Sequence, residues 1–170
     1  MFPSPQAQSL TNEAPGVWEE VLPHLAESAA TCWLTVTRAD GHPHTRPLLA
    51  VWVDGQPFFA SGEGTAKSRL LAASPQVSLA FTTGLMDVVV EGTAERVQDP
   101  GLLGRVAAAY AERHGWAPAS GDGGLTGPEG APTAGPPPYR VFTIPPSTVF
   151  AFPVSELPHG PTRWRFDVWP

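Results

Sequence analysis

Residues 58–75 read FFASGEGTAKSRLLAASP. A run of strand formers gives way to a glycine-containing turn, and then to eight good helix formers closed by Ser74-Pro75. This order predicts a strand through Ser61, a turn over Gly62–Thr65, and a helix over Ala66–Ala73 with Thr65 as its N-cap. The first turn of such a helix leaves N–H groups unpaired, and its macrodipole favours negative charge there. That turn also carries Lys67, the one lysine of the chain. Hydroxyls at Ser61, Thr65 and Ser68 add hydrogen-bonding groups. At roughly 1.5–3 kcal/mol per charge-assisted bond, three or four contacts hold a phosphate monoester. No glycine precedes Lys67 directly, so this is not the phosphate loop of the nucleoside triphosphatases. Gly62-Glu63-Gly64 also lacks the third glycine of a dinucleotide fingerprint. Glu63 must point away from any anion bound here. The competing reading is an ordinary surface helix with Thr65 as its cap and a solvated Lys67.

On both sides of this stretch the apolar period is two. Cys32–Thr37, Thr45–Val53 and Pro57–Ser61 read as a meander of three strands, with turns at Asp40-Gly41 and Asp54-Gly55. Gln76–Thr82 and Asp87–Val97 continue it after the helix, and Tyr139–Ile144 and Thr148–Phe152 close it. Val17, Trp18, Val21, Leu22 and Leu25 mark a helix near 17–28 that contains Pro23. Leu102, Leu103, Val106, Ala107 and Tyr110 mark another, opened by Asp99-Pro100 and running to about His114. About seven short antiparallel strands with two or three helices predict a mainly β (α+β) protein built on a small barrel. Residues 1–15 are expected to be a flexible leader, 16–152 the single domain, 117–138 a Pro/Gly-rich loop, and 153–170 an aromatic C-terminal tail.

Composition bounds the function. The 170 residues carry 10 basic and 16 acidic side chains, a net charge of −6. That disfavours a broad nucleic-acid surface and leaves room for a small cationic pocket. The single Cys32 has no partner for a disulfide or a zinc cluster. No run of about 18 apolar residues occurs, and the amino terminus lacks a basic region followed by an apolar one. A cytoplasmic protein with no membrane and no nucleic-acid partner is expected. His42 and His44, close together along the chain, amount to two ligands at best, so no metal site is expected. No GxSxG elbow surrounds a serine, and Cys32 in an apolar strand reads as core.

A second candidate region lies upstream. Arg46 and Leu48 share one face of their strand, and Pro47 between them withdraws a ladder donor, as at an edge or where another group approaches. An Arg in that position is either a surface or ion-pair residue or a ligand contact.

The hairpin DGxPxxRP followed by FFASGEGTAKSRLLAASPQVSLAF resembles the pyridoxamine 5′-phosphate oxidase-like split β-barrel family of flavin and deazaflavin oxidoreductases. The likeness covers about residues 20–98, and YRVFTIPPSTVFAF is similar in position and character. The resemblance implies a split barrel with FMN or the deazaflavin F420 bound between the subunits of a homodimer. It also implies hydride transfer to or from a small organic substrate. Lys67 matches the family's phosphate-binding lysine and Thr65 the hydroxyl residue two positions earlier, with Gly62, Ala66 and Ser68 completing the turn. Ser61 falls where the ribityl chain passes, and Arg46, Pro47 and Leu48 fall on the strand whose main chain lies along the ring. The vitamin B6 oxidases place Arg where this chain has Ala66, and their C-terminal Arg-x-His is absent. Arg69, two residues beyond Lys67, resembles the deazaflavin-binding branch.

Both cofactors share a tricyclic ring, a ribityl chain and a phosphate. F420 continues into a phosphodiester and an oligoglutamate tail, for which Arg69 and Arg140 are available. The Arg69 position and a composition poor in Lys, Ile and Asn lean toward F420, with FMN as the alternative. In the tail, Arg163, Trp164 and Arg165 are candidates for a lid or substrate contact, the other reading being plain packing. A non-catalytic carrier or sensor of flavin, F420 or haem is the alternative to an enzyme.

Overall fold

The computed structural model describes residues 4–127 and 135–167. Among them are thirteen strands and three helices. In chain order these are β1 (Gln6–Ser9), α1 (Trp18–Glu27), β2 (Cys32–Thr37), β3 (Pro43–Leu48), β4 (Ala50–Val53), β5 (Gln56–Gly62), α2 (Ala66–Ala73), β6 (Gln76–Thr82) and β7 (Met86–Thr93). They continue with β8 (Glu95–Val97), α3 (Pro100–His114), β9 (Ala119–Gly121), β10 (Gly124–Thr126), β11 (Tyr139–Thr143), β12 (Pro146–Pro153) and β13 (Thr162–Arg165). All strand pairings are antiparallel. One sheet has the order β1-β13-β12-β7-β6-β2-β3; the other runs β4-β5-β11-β10-β9, with β8 also paired to β11. The mainly β, split-barrel class expected from the sequence is the one observed.

Two runs that read as single strands each serve both sheets. Thr45–Val53 divides at Leu49 into β3, on the edge of the seven-stranded sheet, and β4, on the edge of the other; Asp87–Val97 divides at Ala94 into β7 and β8. Periodicity of two does not register a bend that keeps the alternation. Where β4 departs, backbone groups lose their ladder partners and Tyr110 replaces them. Its hydroxyl donates to Leu49 O at 2.9 Å and accepts from Ala60 N at 3.1 Å. At the second bend Gly92 lets the chain pass close by: a Cβ there would lie 2.4 Å from Pro145 O.

One buried cluster lies between the sheets. It joins Leu34, Val36, Leu79, Val88, Val90 and Trp164 of the larger sheet to Ala50 and Phe59 of the smaller one, with Trp18, Val21 and Leu25 of α1. A second lies beyond the smaller sheet, where Leu103, Val106 and Tyr110 of α3 cover Val51, Phe58 and Val141. The far face of the seven-stranded sheet is not covered by any helix among the described residues. Trp33, 50% exposed, and Phe152 sit on it.

Three expectations about the irregular parts need correction. The leader contains β1, which pairs with β13 from Gln6↔Arg165 to Ser9↔Thr162. The stretch 117–138 contains the β9–β10 hairpin, paired at Gly124↔Gly121 and Thr126↔Ala119. The tail contributes β13, paired to β12 as well as β1. Strands of three or four residues are too short to carry a periodic signal, so their pairing partners determine them. Residues 128–134 of the Pro/Gly-rich stretch lie outside the described residues, as do 1–3 and 168–170.

Candidate functional site: the turn between β5 and α2

The predicted strand–turn–helix is present with the expected cap. The Thr65 side chain accepts from Ser68 N, and α2 begins at Ala66. Ser61, fully buried at the end of β5, Thr65 and Ser68 form a triangle of hydroxyls. Ser61 Oγ lies 2.9 Å from Thr65 Oγ1, and Ser68 Oγ lies 2.9 Å from Ser61 Oγ. Thr65 and Ser68 also reach Gly62 O, at 2.9 and 2.8 Å. The triangle is saturated internally, so it braces the turn. A hydroxyl that donates to a ligand gives up one of these bonds.

The remaining donors belong to the helix start. Among the described residues the amides of Ala66 and Lys67 have no partner, as befits the first two helical positions. The Lys67 ammonium lies 5.9 Å from the centroid of the Phe59 ring, which stacks on Phe142. Burial pushes the Lys67 pKa down to about 8, and no ion pair is formed by this side chain among the described residues. A half-buried cation without a counter-ion among the described residues, beside two free amides at a helix start, is an arrangement that favours a nearby anion. Gly135, at φ +76°, brings the later chain against this turn, its notional Cβ 3.4 Å from Thr65 Cγ2.

Glu63 turns away, as expected. It pairs with Arg140 Nε at 2.5 Å, and the guanidinium hydrogen bond and charge hold its carboxyl below the usual range. Arg140 also donates from Nη1 to Asp122 O at 2.6 Å. Arg69, exposed, donates to Gly64 O at 2.9 Å. Arg69 forms no ion pair among the described residues, whereas Arg140 is not a free cation, a commitment the sequence reading missed. The strand register is the signal that reveals it, because Arg140 stands opposite Ser61 in the β11–β5 ladder.

The second candidate region lies on edge strand β3. Arg46 is exposed and donates to Thr45 O; Pro47 is exposed and Leu48 half-buried, packed against the inter-sheet core. His44, on the same face, is buried 3.3 Å from Arg38, and burial followed by the charges of Arg46 and Arg38 lowers its pKa. Among the described residues no three His, Cys, Asp or Glu side chains cluster as a metal site. Cys32 is buried, with its thiol pushed up to about 11 by burial.

Of the three tail candidates, Trp164 takes the packing role. Trp164 is fully buried; its indole donates to Gly16 O at 3.1 Å and its ring lies 5.6 Å from that of Trp18. It is core, and nothing can stack on it from a pocket. Arg163 donates to Gln8, and Arg165 is exposed on β13. A shallow groove of about 390 Å³ lies away from the turn, on the uncovered face of the seven-stranded sheet, where Thr35, Ser78 and Glu91 line it. No helix among the described residues is long and apolar enough to cross a membrane.

The pyridoxamine 5′-phosphate oxidase family matches residues 18–152. A pyridoxine/pyridoxamine 5′-phosphate oxidase of Pseudomonas paraeruginosa is 41% identical over 68 residues, which cover 38% of this chain and 31% of that enzyme. The chain thus matches about a third of that relative's length. Among solved structures, a conserved hypothetical protein of Mycobacterium tuberculosis superposes with a TM-score of 0.63 at 20% identity, over 86% of this chain and 90% of that one. A pyridoxamine 5′-phosphate oxidase-related, FMN-binding protein of Nostoc punctiforme gives 0.56 at 14%, over 84% and 87%. An F420 reductase gives 0.52 at 22%, over 74% and 92%. These three likenesses concern the fold. With the match extending from α1 to the end of β12, the chain belongs to the pyridoxamine 5′-phosphate oxidase family.

Proposed function

We propose that this chain is an oxidoreductase that binds FMN or F420 by its phosphate at the β5–α2 turn, and that hydride passes between the cofactor ring and a small organic substrate. The observation that carries this reading is Lys67: half-buried against Phe59, without a counter-ion among the described residues, beside the free amides of Ala66 and Lys67. These residues fit a dianionic ester. Lys67 and the two amides would hold its oxygens, and the Ser61–Thr65–Ser68 triangle keeps the turn rigid so that the donors are aimed before binding. The bound ring supplies the hydride chemistry. The protein's part is to orient it and keep one face dry. The β3–β4 junction, fastened by Tyr110 at Leu49, is the rigid backbone beside which the ring would lie.

A second copy of the chain completes this proposal. The uncovered face of the seven-stranded sheet carries Trp33 next to Pro47, the residue paired with it in the ladder, and this face adjoins the β3 edge. A homodimer that buried it would bring the partner's surface toward the ring position. A family neighbour described as FMN-binding and another described as an F420 reductase support the cofactor class. A carrier or sensor would share the same cradle. Absorbance titration with FMN and with F420 tests the cofactor, and saturation by neither overturns the proposal. Oxidation of the reduced complex by an added acceptor, followed at the ring's absorbance band, separates an enzyme from a carrier.

A further inference from the structure

The two candidate cofactors are alike through the ribityl phosphate and differ beyond it, so the groups next to the phosphate position discriminate between them. Four cations lie about the turn: Lys67, Arg69, Arg140 and, acting on Glu63 through its charge, Arg96. Arg140 faces Ser61 across the ladder and projects on the same side of the sheet, next to the turn. Its guanidinium is largely buried, 17% exposed, under a Glu63 that is 55% exposed. Glu63 therefore occupies the position on Arg140 that a ligand carboxylate would take. The carboxylate is held there by a 2.5 Å contact while Asp122 O takes a second donor at 2.6 Å.

We propose that the Glu63–Arg140 pair determines what the cofactor phosphate may be attached to, admitting a terminal phosphomonoester and disfavouring a phosphate that continues into a string of carboxylates. The proposal rests on the phosphate reading of the turn. A carboxylate tail leaving on this side either displaces Glu63 from Arg140, breaking a charge-assisted bond, or lies beside two carboxylate oxygens with Arg140 already neutralised. Arg69 and Arg96 do not offset this, because both are exposed and solvent screens their charge. A terminal phosphate makes no demand on Arg140. On this ground the chain favours FMN, or a deazaflavin ending at its phosphate, against the lean toward F420 given by residue type and composition.

The test is a fluorescence titration of the full chain with three ligands: FMN, F420 with its glutamyl tail, and the same deazaflavin ending at the phosphate. The wild-type protein binds the tail-free deazaflavin more tightly than F420. Glu63→Gln removes the competing charge and releases Arg140, so F420 tightens at least tenfold, while FMN and the tail-free deazaflavin change less than twofold. The double variant Glu63→Gln/Arg140→Gln loses that gain. Unchanged FMN binding reports an intact turn in each variant. Binding of all three ligands with an F420-to-tail-free ratio unmoved by Glu63→Gln overturns this inference alone, as does a wild-type preference for the tail. Failure of every ligand to bind the wild-type protein overturns the phosphate reading and this inference with it.

Discussion

The turn between β5 and α2 and the pairing of β1 with β13 differ in how far apart their parts lie along the chain. Ser61, Thr65, Lys67 and Ser68 fall within eight successive positions, and the hydrogen bonds that brace them stay within the turn and the strand it leaves. Trp164 finds its hydrogen-bond acceptor at Gly16, 148 residues away, and Gln8 meets Arg163 from across a similar separation. The first arrangement is local chemistry that a ligand can complete. The second ties the chain ends into the barrel, and its removal is felt throughout the fold. The two should respond to substitution in opposite ways.

The largest expected effect is on stability. Trp164→Ala removes a fully buried aromatic side chain and its indole donor, at a cost of roughly 3–5 kcal/mol. Chemical denaturation reads it as a lower midpoint with an unchanged slope. The remaining folded protein keeps its cofactor affinity. Loss of affinity without loss of stability would return this residue to a ligand-facing role.

Lys67→Ala reverses the pattern. One charge-assisted contact of roughly 1.5–3 kcal/mol corresponds to about a 10- to 150-fold weaker cofactor affinity. The melting temperature of the free protein should not fall, since the ammonium has no ion-pair partner among the described residues. A variant that binds normally, or one that unfolds, erases the contrast between the two regions.

Acidity sharpens the contrast further. Lys67 is held down at about 8, below its unfolded value, so its charge opposes folding below that pH. From this group alone, stability of the free protein rises as pH increases from about 8 to the unfolded lysine value near 10.4. Cofactor affinity moves the other way, because the anion needs the protonated amine. It should be greatest between about 6, the second ionisation of a phosphate ester, and 8, and then weaken by up to about tenfold per pH unit. Titrations from pH 5 to 10 check this, and Lys67→Ala should abolish the alkaline limb.

The smallest expected effect is that of Thr65→Ala. It removes the N-cap of α2 and opens the hydroxyl triangle, destabilising the protein by about 1 kcal/mol. Affinity should fall severalfold through a looser turn, a calorimetric and titration pair of measurements.

What was legible in the sequence follows the same division. The cap at Thr65, the helix after it, the outward Glu63 and the buried Cys32 all follow from neighbours within a few residues. The sheet-switching bends at Leu49 and Ala94, the strands at the chain ends and the capture of Arg140 by Glu63 depend on which strand lies beside which. That is set by long-range pairing and leaves no local mark. The aromatic tail illustrates the limit: its composition marks it as important, but only its pairing partners show that Trp164 faces the core.

The account stands most directly on whether the β5–α2 turn binds phosphate. The decisive measurement is the affinity of the wild-type and Lys67→Ala proteins for each ring system with and without its phosphate, riboflavin against FMN and the corresponding deazaflavin pair. The account expects at least one phosphorylated ligand to bind about 100-fold or more tightly than its phosphate-free counterpart, and expects most of that advantage to vanish with Lys67. Equal binding with and without the phosphate, or an advantage that survives in Lys67→Ala, would contradict it.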